Sequence, residues 1–245
     1  MEGSIIFARN CLTCVSLLRL IPISSFYSPI EKLDAWDLPS MASLVRNIIE
    51  TYHVFFYITE EVSDAEREAR VALWRFHETA ERLKALQLGV PSSKGIEQLT
   101  NEYSKRRVRL ERSSFFQSLP KKQRANLLNA RDSKFSSQSE IAKRAGVNHN
   151  YLASCYKYCS NFTLTSPMAI SMLNAFRAGT PEGRQRFKYV SEVATAFMAL
   201  TIRDFVGLVP DQRELIDSAT WDIIQLWDGV LRDWERNSND MDQPK

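Results

Sequence analysis

The chain has 245 residues, of which 44% are hydrophobic and 25% are charged. This balance is ordinary for a globular protein with a sizeable core, and it argues against a largely disordered chain. The net charge of +3, from 32 basic and 29 acidic residues, excludes a strong overall field for a polyanionic partner, so any nucleic-acid surface must be local. The low counts of glycine and proline, eight and nine, favour long helices over a many-stranded protein.

The N-terminal segment is apolar over residues 5–7 and 11–23, but Arg9 and Arg19 interrupt it. No uninterrupted apolar run approaches the roughly 20 residues that a membrane-spanning helix needs, and no secretory signal is evident. We therefore expect a buried first helix over about Ser4 to Leu20. The same observations predict no membrane contact and a cytoplasmic protein.

Four cysteines occur as a C-x2-C pair and a C-x3-C pair, at Cys11, Cys14, Cys155 and Cys159. Two such pairs could together ligate zinc, but neither has the glycine-bearing turn of a zinc knuckle, and both lie in apolar, helical surroundings. We expect reduced thiols that pack in the core. No metal site and no cofactor is predicted, since no phosphate-binding or dinucleotide-binding glycine motif is present.

The rest of the chain has mainly helical periodicity. Ser63 followed by Glu66 is a capping-box pattern that marks the start of a helix ending at Gly89. The pattern of apolar residues predicts helices over residues 41–60, 64–88, 94–119, 121–131, 168–177 and 182–206, two shorter helices within 138–158, and a last helix from Asp211 onward.

These elements predict an all-α protein, a multi-helix bundle. We expect a helical core domain over residues 1–166, with the C-terminal helices of residues 167–236 packed on the same domain. The polar segment 237–245 is predicted to be a disordered tail.

The second predicted helix has one polar stripe. At 3.6 residues per turn, Arg46, Glu50, His53 and Tyr57 fall on the same side, while apolar residues cover the opposite side. A guanidinium, a carboxylate and an imidazole on neighbouring turns could bind phosphate or transfer protons. The same stripe could equally be a surface ion pair without chemistry.

The spacing Arg46-x6-His53 resembles the pattern of HEPN-type ribonucleases, which are helical bundles. The resemblance implies metal-independent RNA cleavage in which His53 assists proton transfer and Arg46 stabilises charge on the phosphate. It also implies a homodimer that brings two copies of the pair together. Two observations weigh against it: the other two histidines satisfy the same pattern, and Glu50 would pair with Arg46 and repel a phosphate.

Residues 138–158 resemble a helix-turn-helix. Gly146 lies at the turn, Ile141 and Val147 are placed to point inward, and Ala142 allows close contact between the helices. The second helix is poor in the arginine, asparagine and glutamine side chains that contact base edges. DNA binding and an ordinary helical hairpin are therefore both open.

A basic run lies near the middle of the chain and could contact RNA or other phosphate groups without sequence specificity. Its members are Lys105, Arg106, Arg107, Arg109 and Arg112. Glu102 and Glu111 dilute the positive charge of the run, so a solvated helix surface is the alternative interpretation.

Three features together resemble an uncharacterised family of bacterial all-helical proteins, a domain of unknown function. They are Arg46-x3-Glu50, the acidic segment that leads to Arg70, and Tyr156-x3-Ser160, and the resemblance extends over residues 5–175. It implies a polar cluster between helices that includes Arg46, Glu50, Arg70, Tyr156 and Ser160. Such a cluster either binds a ligand or fixes the packing of the helices. Our hypothesis is an intracellular binding or interaction protein with a protein or RNA partner, and whether it is also an enzyme stays open.

Overall fold

A computed structural model describes residues 2–21, 37–89, 93–164, 166–175 and 180–232. Helices contain 84% of these residues and none of them is in a strand, which confirms the predicted all-α multi-helix bundle. No helix within these ranges is long and apolar enough to cross a membrane. The predicted tail, residues 237–245, lies outside the described residues.

Eleven α-helices and one short 3-10 helix follow one another in the described part of the chain. In order they are α1 (Glu2–Leu18), α2 (Leu38–Thr59), α3 (Asp64–Leu88), α4 (Ser93–Glu111), α5 (Ser114–Ser118), α6 (Lys121–Leu128), α7 (Gln138–Arg144), α8 (His149–Thr163), α9 (Pro167–Ala175), α10 (Pro181–Leu208), the 3-10 helix (Pro210–Leu215) and α11 (Ser218–Arg232).

The chain forms two compact units. The first unit contains residues 1–59 and 138–245, and the second unit contains residues 60–137. Helices α10 and α11 belong to the same unit as α1 and α2. The predicted division into a core domain and packed C-terminal helices stays a prediction.

Helix α2 is the centre of the first unit, where it packs against α1, α7, α8 and α10. A helix with neighbours on several sides must be apolar around most of its circumference, and α2 satisfies this condition. Val45, Ile48, Ile49, Tyr52 and Phe55 are completely buried. Burial of each such side chain contributes about 1.5–3 kcal/mol relative to exposure, so α2 supplies a large share of the stability of this unit.

The second unit consists of α3 to α6, with α3 packed on α4 and α5. Leu73, Phe76, Leu110, Phe116 and Leu127 form the centre of its core. The predicted range of α3 is confirmed, as is its N-terminal cap: the Ser63 hydroxyl oxygen accepts a hydrogen bond from the backbone N–H of Glu66 at 3.3 Å.

Two predicted helices are interrupted. The helix predicted over residues 94–119 is wrong because α4 ends at Glu111 and a new helix begins after Ser113, whose hydroxyl accepts from the N–H of Phe116. The new helix buries Phe116 in the core. The last predicted helix also begins late, since residues 210–215 form a 3-10 turn and the Asp217 side chain caps α11 by accepting from the N–H of Thr220 at 2.9 Å.

The helical hairpin of residues 138–158 has the predicted turn. Gly146 adopts the left-handed conformation with φ of +72°, and Ile141 and Val147 are buried. Asn148 then caps α8, because its side-chain oxygen accepts from the N–H of Tyr151 at 3.0 Å. The turn thus depends on a backbone conformation that glycine adopts without steric cost.

Replacement of Gly146 by alanine should lower the free energy of unfolding by about 1–2 kcal/mol, because a Cβ disfavours the left-handed conformation. The new Cβ would also lie 3.1 Å from Nη1 of Arg232. Urea denaturation followed by circular dichroism measures the change.

Gly229→Ala is the matched control, since a Cβ at this helical position meets no atom within 4 Å among the described residues. This variant should be more stable than the wild type by about 0.5–1 kcal/mol, because alanine favours the helix. Equal effects of the two substitutions would contradict the left-handed turn at Gly146.

Candidate functional site

Three side chains form a closed hydrogen-bonded group at the contact of α2 and α8, which we call the Arg46 cluster: Arg46, Glu50 and Tyr156. Nε of Arg46 donates to Oε1 of Glu50 at 3.1 Å, and Nη2 of Arg46 donates to the Tyr156 hydroxyl at 3.0 Å. The Tyr156 hydroxyl donates in turn to the same Glu50 oxygen at 2.6 Å. The guanidinium carbon also lies 5.1 Å from the centre of the Tyr156 ring, within the range of a cation–π contact.

The local sequence explains how these side chains meet. Arg46 and Glu50 are four residues apart on α2 and therefore neighbours on its surface, although an arginine that precedes its acidic partner is the weaker orientation. On α8, Leu152, Cys155 and Cys159 are buried in the core of the unit. Tyr156 follows Cys155, so its ring lies at the edge of this buried side, where its hydroxyl reaches both charged groups.

The environment raises the pKa of two members of the cluster, Arg46 and Tyr156. Burial alone would lower the pKa of Arg46, but the hydrogen bond to Tyr156 and the charge of Glu50 outweigh it and raise that pKa above its ordinary value. Burial, together with the hydrogen bond to Glu50, raises the pKa of Tyr156. The cluster thus combines a cation, a carboxylate and a neutral hydroxyl in a fixed arrangement.

His53 occupies a different environment from Arg46, although both lie on α2. Its side chain is buried with the residue 1% exposed, and Nδ1 lies 2.7 Å from the backbone carbonyl of Ile49. The imidazole packs against the rings of Tyr52 and Phe197 in the core. The predicted catalytic role of His53 stays a prediction, and Tyr57, from the same predicted stripe, is also completely buried.

The other two predicted members of the polar cluster have different surroundings. Arg70 belongs to the second unit and is buried there, with Nη1 donating to Glu60 at 2.7 Å and Nε to Glu66 at 3.0 Å. Ser160 lies one turn after Tyr156 on α8. Its Oγ is buried and forms no hydrogen bond with the described residues.

The predicted basic run lies on α4 and just after it, in the second unit. Arg106 pairs with Glu102 and Glu78, and Arg107 pairs with Glu111. The other three side chains are exposed and form no ion pair with the described residues: Lys105, Arg109 and Arg112. Residues 60–137 contain 16 basic and 11 acidic residues, so positive charge is concentrated in this unit. Phosphate contact here stays a prediction.

The hairpin of α7 and α8 presents the side of α8 that a helix-turn-helix would turn toward DNA. His149, Asn150, Ala153, Ser154 and Lys157 are exposed along it. Lys157 is the only lysine or arginine among these five residues, and the whole first unit has 16 basic against 18 acidic residues. The geometry of the hairpin agrees with the prediction, whereas DNA binding stays a prediction.

A second polar group in the first unit had no signal in the sequence. The Tyr52 hydroxyl donates to Asp204 at 3.2 Å, Arg203 donates to Asp204 at 2.8 Å, and Arg203 also pairs with Asp228 of α11. Burial raises the pKa of Asp204, although the charge of Arg203 opposes this effect. These residues are remote from one another in the sequence, apart from Arg203 and Asp204, so their spacing could not predict the group.

The four cysteines are all free thiols, with Cys155 and Cys159 buried in the core. The Cys155 sulfur lies 3.2 Å from the Tyr189 hydroxyl, a contact within the core of the first unit. No group of three or more histidine, cysteine or acidic side chains in the described ranges could hold a metal ion.

A double-mutant cycle on Arg46→Met and Glu50→Gln tests whether the pair interacts as the structure shows. The double variant should be more stable than the sum of the single effects predicts, by about 0.5–1 kcal/mol, since each single change leaves the partner's charge unpaired. Urea denaturation at moderate salt measures the free energies of unfolding.

The matched control is the same cycle on Lys188 and Glu192, a pair with the same spacing on α10. Its atoms are 3.6 Å apart and its lysine side chain is 74% exposed, so its coupling should not exceed about 0.3 kcal/mol. Equal coupling in both cycles would contradict a special role of Tyr156 in fixing the Arg46–Glu50 pair.

Comparison with protein families shows a match to part of the chain. The model of a family of unknown function (DUF5677) matches residues 8–179, a range that contains the Arg46 cluster and the whole second unit. No curated protein and no solved structure has a significant match to the chain. The resemblance to an uncharacterised family is thereby confirmed, while nothing in the match supports the resemblance to HEPN-type ribonucleases. The chain belongs to the DUF5677 family, whose function is unknown.

Proposed function

We propose that this protein is an intracellular binding protein whose Arg46 cluster recognises a neutral hydrogen-bonding group, such as the carboxamide or backbone amide of a peptide. One observation carries the proposal: the Tyr156 hydroxyl is bonded to both Arg46 and Glu50, and so holds a donor and an acceptor in fixed positions. A site that is already ordered loses little conformational entropy when a ligand binds.

The cluster retains hydrogen-bonding capacity for a ligand. Among the described residues, Nη1 of Arg46 and Oε2 of Glu50 have no hydrogen-bond partner. Both side chains are accessible, with exposed fractions of 26% and 43%. A carboxamide offers an acceptor oxygen to the guanidinium and a donor N–H to the carboxylate, which matches the two open positions.

The charge of the cluster favours this ligand class over a phosphate. Glu50 lies beside the guanidinium and would repel an anion, so RNA is the less suitable partner for this site. The ribonuclease alternative further requires His53 to reach a ribose oxygen, yet that side chain is buried. The DNA-binding alternative requires more than the one lysine on the exposed side of α8.

The four free thiols support a site of action inside the cell. Disulfides are common in secreted domains, whereas thiols persist in the reducing interior of the cell. A peptide or protein partner in the same compartment is the ligand source that we favour.

Nuclear magnetic resonance of protein with 15N-labelled arginine side chains tests the proposal directly. Titration with N-acetylglutamine amide should shift the Nε–H resonance of Arg46 in a saturable manner at millimolar concentrations. Inorganic phosphate, at the same concentrations and ionic strength, should leave this resonance unchanged because Glu50 repels it.

Glu50→Gln should weaken the carboxamide affinity about tenfold, since it removes the charged acceptor. Glu192→Gln is the matched control, because Glu192 has a similar exposed fraction of 41% and also pairs with a basic residue four positions away. The control should bind like the wild type. A saturable phosphate response at Arg46, or equal carboxamide affinity in both variants, would refute the proposal.

A further inference from the structure

A cavity of about 270 Å³ lies in the first unit, between α1 and α11 and against α10. Leu17 and Leu18 of α1 form one wall, and Ile223 and Trp227 of α11 form another. The floor is α10, whose side chains at this place are mostly small, including Ala194 and Ala199. Small residues between two helices with bulky side chains explain why a space remains here.

The three hydroxyl groups in the wall of the cavity are already hydrogen-bonded within the protein. The Ser191 hydroxyl donates to the carbonyl of Phe187 at 2.9 Å, and the Thr195 hydroxyl donates to the carbonyl of Ser191 at 2.9 Å. The Thr220 hydroxyl donates to Asp217 at 2.7 Å. A water molecule in the cavity would therefore find few partners, and a space of this kind favours an apolar occupant.

The wall also lacks charge. All fourteen side chains that line the cavity are uncharged, and one of them is the thiol of Cys14. Burial raises the pKa of Cys14 to about 12, so this thiol also remains neutral at physiological pH. A ligand with a charged group would lose its hydration here without gaining an ionic partner.

We infer that this cavity is a binding site for an uncharged, apolar small molecule. An apolar cavity of about 150 Å³ accommodates benzene, so the larger space here has room for about two aromatic rings or an alkyl chain of similar volume. The site is formed by α1, α10 and α11, whereas the Arg46 cluster is formed by α2 and α8. The inference therefore does not depend on the function proposed above.

Two dyes that differ in one charged group test the inference on the full chain. N-Phenyl-1-naphthylamine is uncharged and becomes fluorescent in apolar surroundings, while 8-anilinonaphthalene-1-sulfonate has the same rings with an added sulfonate. The uncharged dye should bind with one-to-one stoichiometry and at least tenfold more tightly than the sulfonate. Tighter binding of the sulfonate would overturn the inference.

Thr195→Phe places a ring into the cavity from an exposed position and should weaken binding of the uncharged dye at least tenfold. Thr100→Phe on α4 is the matched control: Thr100 is also exposed, and its hydroxyl also bonds to the carbonyl four residues earlier. The control should bind like the wild type. Equal dye affinity in the two variants would exclude this cavity as the site.

Circular dichroism must show that Thr195→Phe folds, and Ile223→Asp serves as the second variant if it does not. Ile223 is 53% exposed at the rim, so an aspartate there should be tolerated and should also weaken binding of the uncharged dye tenfold or more.

Sedimentation of the wild type and Thr195→Phe provides a further control. A dimer that the substitution dissociates would identify the cavity as a self-association surface and overturn the inference.

Discussion

The burial of α2 is the constraint on which the first unit depends. With α1, α7, α8 and α10 packed around it, this helix can carry polar side chains only where each has a partner. Nδ1 of His53 has a partner within the same helix, the carbonyl of Ile49, and the Tyr52 hydroxyl has a partner on α10, Asp204. The apolar majority of the helix supplies stability, and its few polar side chains fix how the neighbouring helices are placed.

Arg46 and Glu50 are the partly exposed polar side chains of the same helix. An ion pair at this spacing on a helix surface contributes little by itself. Tyr156 makes this ion pair part of a helix contact, because its hydroxyl joins both charged groups to α8. The same contact that positions α8 on α2 therefore produces a rigid donor and acceptor at the protein surface, and a structural role and a binding role are compatible in this cluster.

Local sequence signals predicted local structure well. The capping-box pattern at Ser63 predicted both the first residue of α3 and the hydrogen bond that caps it. Gly146 marked the turn between α7 and α8. The Arg46–Glu50 contact also followed from spacing alone. Tyr156 lies 110 residues away from Arg46, so a family resemblance indicated it where periodicity could not.

Features that depend on the packing of distant segments could not be predicted. α4 ends at Glu111 and the next helix buries Phe116 in the core, a break that the apolar pattern of the sequence did not predict. Arg70 has two carboxylate partners inside the second unit, Glu60 and Glu66, and whether it shares a site with Arg46 stays a prediction. The cavity beside α10 is a further example, because side chains of three helices that are distant in the sequence line it together.

Native-state hydrogen exchange tests the central position of α2 most directly. Exchange of the backbone amides of residues 45–56 should require opening of the whole first unit, so their exchange free energies should equal its global free energy of unfolding. Amides of α11, a helix with many exposed residues, should exchange through smaller local openings. Exchange of the α2 amides at the rate of those in α11 would contradict the account, because it would show that the first unit remains folded when α2 opens.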